Sequence, residues 1–202
     1  MKIKLFNLEL SGNCYKVRLL LALLDIEHEL ISVNFMAGEH KSPEFLQLNP
    51  LGQIPILIDG EKVITDSQGI LVYLAREYGD ETWLPNDAES LSKIVRWLSI
   101  TAEEINQGLG LARRFYLLKS PTIDIEAATK KSTFILQQIN RHLEDREWLE
   151  LGHPTVADIA VFPYVALAPD GKISLEPYPN ILAWCDRLKQ LPGFVSMPGI
   201  SI

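Results

Sequence analysis

Three short stretches of this chain carry residues whose types and spacing can do chemistry. In Ser11-Gly12-Asn13-Cys14 a hydroxyl, an amide and a thiol crowd the start of a helix. The Ser-x-x-Cys spacing mimics the Cys-x-x-Cys of redox turns, with the first sulfur replaced by oxygen. The first position of such a turn lies exposed before the helix, where a hydroxyl can donate to an anion that the helix N-terminus also favours. The fourth position is already in the first turn and tilts inward, so Cys14 is expected to be a buried, quiet filler. The opposing reading makes Cys14 a low-pKa thiol at a helix N-terminus, able to form a mixed disulfide. The second stretch is the strand entry Gln53-Ile54-Pro55. A main-chain edge left unpaired beside a pocket binds an extended peptide by strand addition. Ile54 would present such an edge if its bond to proline is cis, which costs only about 0.5–1 kcal/mol at an X-Pro junction. The third is Asp66-Ser67, a carboxylate and a hydroxyl at a helix start. Each has a plainer reading: caps at Ser11, Asn13 and Asp66-Ser67, and a loop that enters a core strand at Pro55.

The elements that must position these stretches follow from the pattern of apolar residues. Lys2 to Leu8 alternates and reads as a first strand. Val17, Leu20, Leu21 and Leu24 fall at i, i+3, i+4 and i+7, so Cys14 to Leu24 is an amphipathic helix. Glu29 to Val33 is a second strand. Phe35 to Lys41 is a loop, and a short helix follows with Ser42 as cap and Pro43 in its first turn. Asn49-Pro50 turns into the apolar run ending at Asp59-Gly60, read as a tight hairpin to a strand from Glu61 to Ile64. Asp66-Ser67 then caps a helix to about Tyr78. The order is βαβαββα over the first 79 residues. Alternation of β and α implies parallel pairing by right-handed crossover, and the Asp59-Gly60 hairpin adds an antiparallel edge pair. Gly79 to Asp87 reads as a linker. Beyond it the pattern is helical: one helix from Ala88 to Leu118, another from Ile125 to Leu143, one opened by Thr155-Val156-Ala157-Asp158 in the manner of a capping box, and one from Pro179 to Leu191. The expected units are a sheet domain over 1–79, a linker over 80–87 and an all-α domain over 88–202.

Composition narrows the function classes. The 202 residues are 47% hydrophobic and 22% charged, ordinary for a globular protein with room for a sizeable core. The net charge of −7 is spread over both halves, with no basic stripe for a phosphate backbone, so nucleic acid is not an expected partner. No apolar run approaches the ~20 residues that span a bilayer, and the first residues do not read as a signal peptide. The two cysteines, Cys14 and Cys185, form neither a disulfide framework nor a metal-ligand spacing, which points to a reducing cytoplasm.

Taken together and in order, Ser11-x-x-x-x-Lys16-Val17, His40-Lys41-Ser42-Pro43-Glu44-Phe45, Asn49-Pro50-Leu51-Gly52-Gln53-Ile54-Pro55 and Gly152-His153-Pro154-Thr155-Val156-Ala157-Asp158 resemble the cytosolic glutathione transferase family. The motifs are similar to bacterial, phi-, nu- and theta-like members, and the resemblance covers essentially the whole chain. It implies a thioredoxin-like N-terminal domain followed by an all-α domain, and glutathione as co-substrate with no metal. By resemblance, Ser11 faces the glutathione sulfur, with Asn13 in the same turn beside it. Ile54, before Pro55, docks the cysteinyl main chain, and Gln53 adds side-chain hydrogen bonds. Ser67, with the N–H groups opening its helix, suits the γ-glutamyl carboxylate, and Asp66 suits the amine. The family's usual residue at that place is Glu, so Asp66 is one methylene short. His40 and Lys41 offer positive charge to the glycyl carboxylate. The implied reaction is thiolate attack on an electrophilic small molecule held by the long helix near Phe115 and Tyr116. Ser11-x-Asn13 also resembles bacterial relatives that reduce disulfides or peroxides with glutathione, and a non-catalytic interaction module of the same fold is the third reading. A homodimer is implied too, with Glu103, Glu104, Arg113 and Arg114 as charged positions that could reach a partner's site, although a solvated helix face is the plainer reading of each one.

Overall fold

Alternation in β1 (Ile3–Asn7) sends Ile3, Leu5 and Asn7 to one buried face and Phe6 to the other. The computed structural model describes residues 2–200; Met1, Ser201 and Ile202, at the ends of the two expected domains, lie outside the described residues. Four strands form one sheet in the order β2 (His28–Ser32), β1, β3 (Ile56–Asp59), β4 (Lys62–Thr65). β1 runs parallel to β2 and antiparallel to β3, and β3 pairs antiparallel with β4. Asp59 pairs with Lys62, so the hairpin turns on Gly60-Glu61, one residue beyond the expected Asp59-Gly60.

Two helices cover the face that buries Leu5 and Leu57: α1 (Gly12–Leu23) and α3 (Ser67–Glu77). The opposite face is closed by α2 (Pro43–Leu48), whose Phe45 packs with Val33, Ile56 and the edge of Phe6. The sequence reading of α2 holds in detail, since Ser42 caps it through the Phe45 N–H at 3.2 Å and Pro43 opens it.

Beyond residue 87 the described chain is helical. The long helix expected from Ala88 to Leu118 is continuous but not uniformly wound. α4 (Ala88–Ile100) passes into a π-helical segment, Thr101–Gly110, and then into α5 (Leu111–Leu118). Two local features accompany the wider winding. The Thr101 hydroxyl donates to the Trp97 carbonyl at 2.8 Å. At Gly108 a β-carbon would lie 2.9 Å from the Ser132 nitrogen, so glycine lets α6 (Ile125–His142) press directly on the segment. π-Winding is frequent where function needs a helix re-aimed.

α7 (Val156–Ala166) is the axle of the molecule, buried along nearly its whole length and packed by α1, α3, α4 and the π segment. α8 (Pro179–Lys189) brings Trp184 against it, edge to face with Phe162. One apolar core therefore runs from Leu5, Tyr15 and Leu20 through Phe162 to Trp184 without a gap between sheet and helices.

Candidate functional site

Strand register decides which loops meet. Phe6 pairs with Ile56 and Ile56 with Thr65, so the chain after Asn7, the chain before Ile56 and the chain after Thr65 leave the sheet at one end. Ser11, Pro55 and Asp66-Ser67 are thereby gathered from three segments. The Ile54-Pro55 bond is cis. Ile54 stands outside the ladder, which begins at Ile56, and Asn49 steadies the turn by donating its Nδ2 to the Gln53 carbonyl at 2.9 Å. The Gln53 side chain is exposed.

Ser11 is the N-cap of α1. Its Oγ accepts the Cys14 N–H at 3.2 Å, its carbonyl accepts the Tyr15 N–H at 2.9 Å, and its N–H donates to the Leu8 carbonyl at 3.0 Å. Accepting from an N–H leaves the hydroxyl proton free to point outward. No acidic residue sits in the first turn of α1, so the partial positive charge of the helix end is not neutralised from within. Asn13, half-buried beside Ser11, completes the turn. Cys14 is fully buried, with its sulfur accepting the Leu8 N–H at 3.5 Å. Burial pushes its thiol up, against the opposing pull of Ser11, Leu8, Arg18 and Lys16. Burial and a raised thiol are the surroundings of a small apolar filler.

The anchors differ in two respects from the sequence reading. Asp66 Oδ1 accepts the N–H groups of both Gln68 (2.8 Å) and Gly69 (3.1 Å). Those two donors at the opening of α3 are therefore already taken, and an incoming carboxylate is left with the Ser67 N–H and hydroxyl. Asp66 is held at φ 66°, where a side chain is strained, and backbone strain of this kind concentrates at functional sites. The second correction concerns charge. The His40 ring stacks on Phe35 at 3.8 Å, its Nδ1 is buried without a partner, and burial followed by the Lys41 cation pushes it toward neutral. Lys41, bonded to the Leu51 carbonyl at 3.1 Å and exposed, retains two ammonium protons for a ligand.

The helical side supplies a wall that sequence reasoning missed. Tyr164 of α7 lies against Gly12, leaving only 3.1 Å from its ring for a β-carbon there. Lys16, 1% exposed, places its ammonium 5.6 Å from the centre of that ring. Burial drives the Lys16 pKa down to about 7, against the attraction of Asp66 and Cys14. Arg113, expected on a solvated face or reaching a partner, is 5% exposed and turned inward to its own chain. Glu104 likewise pairs within the chain, with Lys131 at 3.0 Å, whereas Glu103 and Arg114 are exposed. Phe115 and Tyr116 meet edge to face at 5.0 Å, and the Lys172 ammonium sits 4.4 Å over Tyr116. The signal for Lys16 was its place in the Ser-x-x-x-x-Lys-Val motif. For Arg113 no local signal existed, because its partners lie 57 and 103 residues away.

Among the described residues no cluster of His, Cys, Asp or Glu has the arrangement to hold a metal ion, and no helix is long and apolar enough to cross a membrane. Residues 1–76 match the family model "Glutathione S-transferase, N-terminal domain", and residues 105–192 match its C-terminal counterpart. Glutathione S-transferase D7 of Anopheles gambiae is 34% identical over 92% of this chain and 85% of its own. The crystal structure of a possible glutathione S-transferase from Rhodopseudomonas palustris superposes with a TM-score of 0.88 at 31% identity, covering 96% of this chain and 89% of that one. A glutathione transferase homologue from Drosophila mojavensis, solved with bound glutathione, superposes with a TM-score of 0.85 at 27% identity, covering 95% and 89%.

Proposed function

The chain belongs to the glutathione S-transferase family and is a glutathione transferase, and from that premise we propose how its own residues perform the reaction. The glutathione thiol loses its proton to solvent as its sulfur comes to the mouth of α1. The Ser11 hydroxyl donates to the resulting thiolate, with Asn13 beside it. The thiolate attacks an electrophilic carbon of a small molecule. A C–S bond forms, and the bond to the leaving group breaks with its electron pair, or in an addition the carbanion is reprotonated from solvent. The carrying observation is the open N-terminus of α1, where a hydroxyl that accepts only a backbone N–H faces an unneutralised helix end.

Magnitudes limit what this can supply. A thiol of pKa about 8.5 is about 3% ionised at pH 7, and lowering it by about two units raises that to roughly 75%, equivalent to about 2.7 kcal/mol. The thiolate becomes less nucleophilic with a slope of about 0.4–0.5, which returns most of the gain. Positioning of the electrophile between sheet and helices supplies the remainder.

In the same reading, Ile54 holds the cysteinyl main chain of glutathione by strand addition, and Gln53 adds side-chain hydrogen bonds. Asp66, through the carboxylate oxygen that does not cap α3, takes the amine, Ser67 takes the γ-glutamyl carboxylate, and Lys41, with His40 beside it, takes the glycyl carboxylate. The units are a glutathione-binding domain over 1–79, a linker over 80–87 and an electrophile-binding domain over 88–202. We place the protein in the cytoplasm, as a homodimer acting in detoxification. Reduction of disulfides or peroxides through an enzyme thiol is disfavoured by the burial of Cys14.

Retention on immobilised glutathione, combined with a panel of an aryl halide, a hydroperoxide and a glutathione mixed disulfide, tests the reading. Binding with turnover of the aryl halide is expected. No retention, or turnover of the mixed disulfide alone, would contradict it.

A further inference from the structure

Arg113 sits in α5, yet its guanidinium closes on the loop that carries Ser11. Nη1 donates to the Leu10 carbonyl at 2.7 Å, and Nε donates to Asp170 Oδ2 at 2.9 Å. The side chain is only 6% exposed, whereas that of Asp170 is 32% exposed. Asp170 is delivered by the turn Ala168–Gly171, which lies so close to α5 that a β-carbon on Gly171 would come within 3.1 Å of the Ala112 methyl. Charged hydrogen bonds of this kind are roughly twice as strong as neutral ones and fix direction as well as distance.

The carbonyl that Arg113 holds belongs to the peptide unit joining Leu10 to Ser11. The other end of the same unit, the Ser11 N–H, is bound to the Leu8 carbonyl at 3.0 Å. A planar peptide gripped at both ends cannot rotate. It therefore fixes the axis about which the Ser11 α-carbon and hydroxyl would swing, and the Cys14 N–H on Oγ fixes the side chain. We propose that Arg113, braced by Asp170, is a positioning residue that aims the Ser11 hydroxyl at the glutathione sulfur from the helical half of the molecule. The proposal rests on the reading that Ser11 donates to the thiolate. It assigns to a residue of the electrophile side a part in ionising the thiol on the glutathione side.

Arg113→Lys keeps the charge but loses the planar fork that reaches two acceptors at once. Asp170→Asn leaves Arg113 in place and removes its counterion. The apparent pKa of the bound glutathione thiol, read from its ultraviolet thiolate absorbance, is expected to rise by about one unit in Arg113→Lys. It should rise by less in Asp170→Asn. kcat should fall at low pH more than at high pH, with KM for glutathione within about twofold of the parent. In a Ser11→Ala background, Arg113→Lys is expected to add no further shift, because the group it aims is gone. Thermal melts of each variant separate unfolding from this effect. An unmoved thiol pKa in both folded variants, or an equal added shift with and without Ser11, would overturn the relay and leave Ser11 itself intact. Ser11→Ala with the parent thiol pKa, while Arg113→Lys shifts it, would overturn both the relay and the Ser11 reading.

Discussion

Two helix starts in this molecule open on the same chemistry, a hydroxyl N-cap, and put it to opposite ends. α7 begins Thr155-Val156-Ala157-Asp158 and α1 begins Ser11-Gly12-Asn13-Cys14. At α7 the hydroxyl accepts the Ala157 N–H at 3.2 Å, and Asp158 reaches back to the Thr155 N–H at 3.0 Å. The remaining Asp158 oxygen takes the Leu149 N–H and the Trp184 indole N–H, at 3.0 and 2.9 Å. Burial pushes the Asp158 carboxyl up, and these donors pull it back. Every polar group there is satisfied within the chain and nothing faces water. At α1 the position that would hold the acid is Cys14, so the cap is one-sided and the positive helix end has no internal anion. An acid at the third helical residue closes a helix start into a structural joint, and its absence leaves a place for an anion from outside.

The largest effect is expected at the closed end. Asp158→Ala leaves three segments with unpaired buried donors, and a loss on the order of 3–5 kcal/mol in urea unfolding should follow. A loss under about 1 kcal/mol, within the range of an ordinary cap, would break the contrast between the two helix starts. Next comes Lys16, the charge buried one turn behind the open end. With a folded pKa of about 7 against 10.5 unfolded, the unfolded chain holds more protons between those values, so stability rises with pH across that window. The destabilisation by Lys16 is full below about pH 7 and fades toward pH 10.5. Lys16→Met should accordingly gain stability, on the order of 1–3 kcal/mol, near neutrality and lose that advantage in alkali. An advantage independent of pH would mean that the ammonium is solvated in the fold. The smallest effect sharpens the comparison most. Asn13→Asp puts an acid into the first turn of α1 and makes it more like α7. Worth about 0.3–1 kcal/mol, it should raise the bound-thiol pKa by roughly 0.2–0.7 units. A fall, or a melting temperature lowered by several degrees, would mean that the helix end is not the anion's neighbour.

Much of this was legible in the chain. Periodicity placed β1, α1, α3 and α6 within two residues, because each repeats apolar positions over several turns against one core. The caps at Ser11, Ser42, Asp66 and Thr155 could be read because a cap is a local bargain among four residues. The π winding at Thr101–Gly110 was not legible, since it depends on how closely α6 approaches Gly108. The same limit hid Arg113, whose charge looked like part of a solvated helix face until the fold brought Leu10 and Asp170 to it. His40 was counted as a cation because its segment was read as an open loop, and the folding of that loop onto Phe35 is not written in residue types. Asp66 was assigned to a ligand amine, whereas one of its oxygens serves the helix it begins.

The central claim is that the open start of α1, through Ser11, holds the glutathione thiolate. Ultraviolet titration of glutathione bound to the parent protein, to Ser11→Ala and to Cys14→Ala tests it most directly. The predicted result is a bound thiol about two units below the free value in the parent and in Cys14→Ala, returning toward about 8.5 in Ser11→Ala. Ionisation at pH 7 should then fall about 25-fold and turnover only a few-fold. If Cys14→Ala loses the signal and the activity with glutathione affinity intact, while Ser11→Ala keeps both, the claim is contradicted and the chemistry is thiol exchange at Cys14.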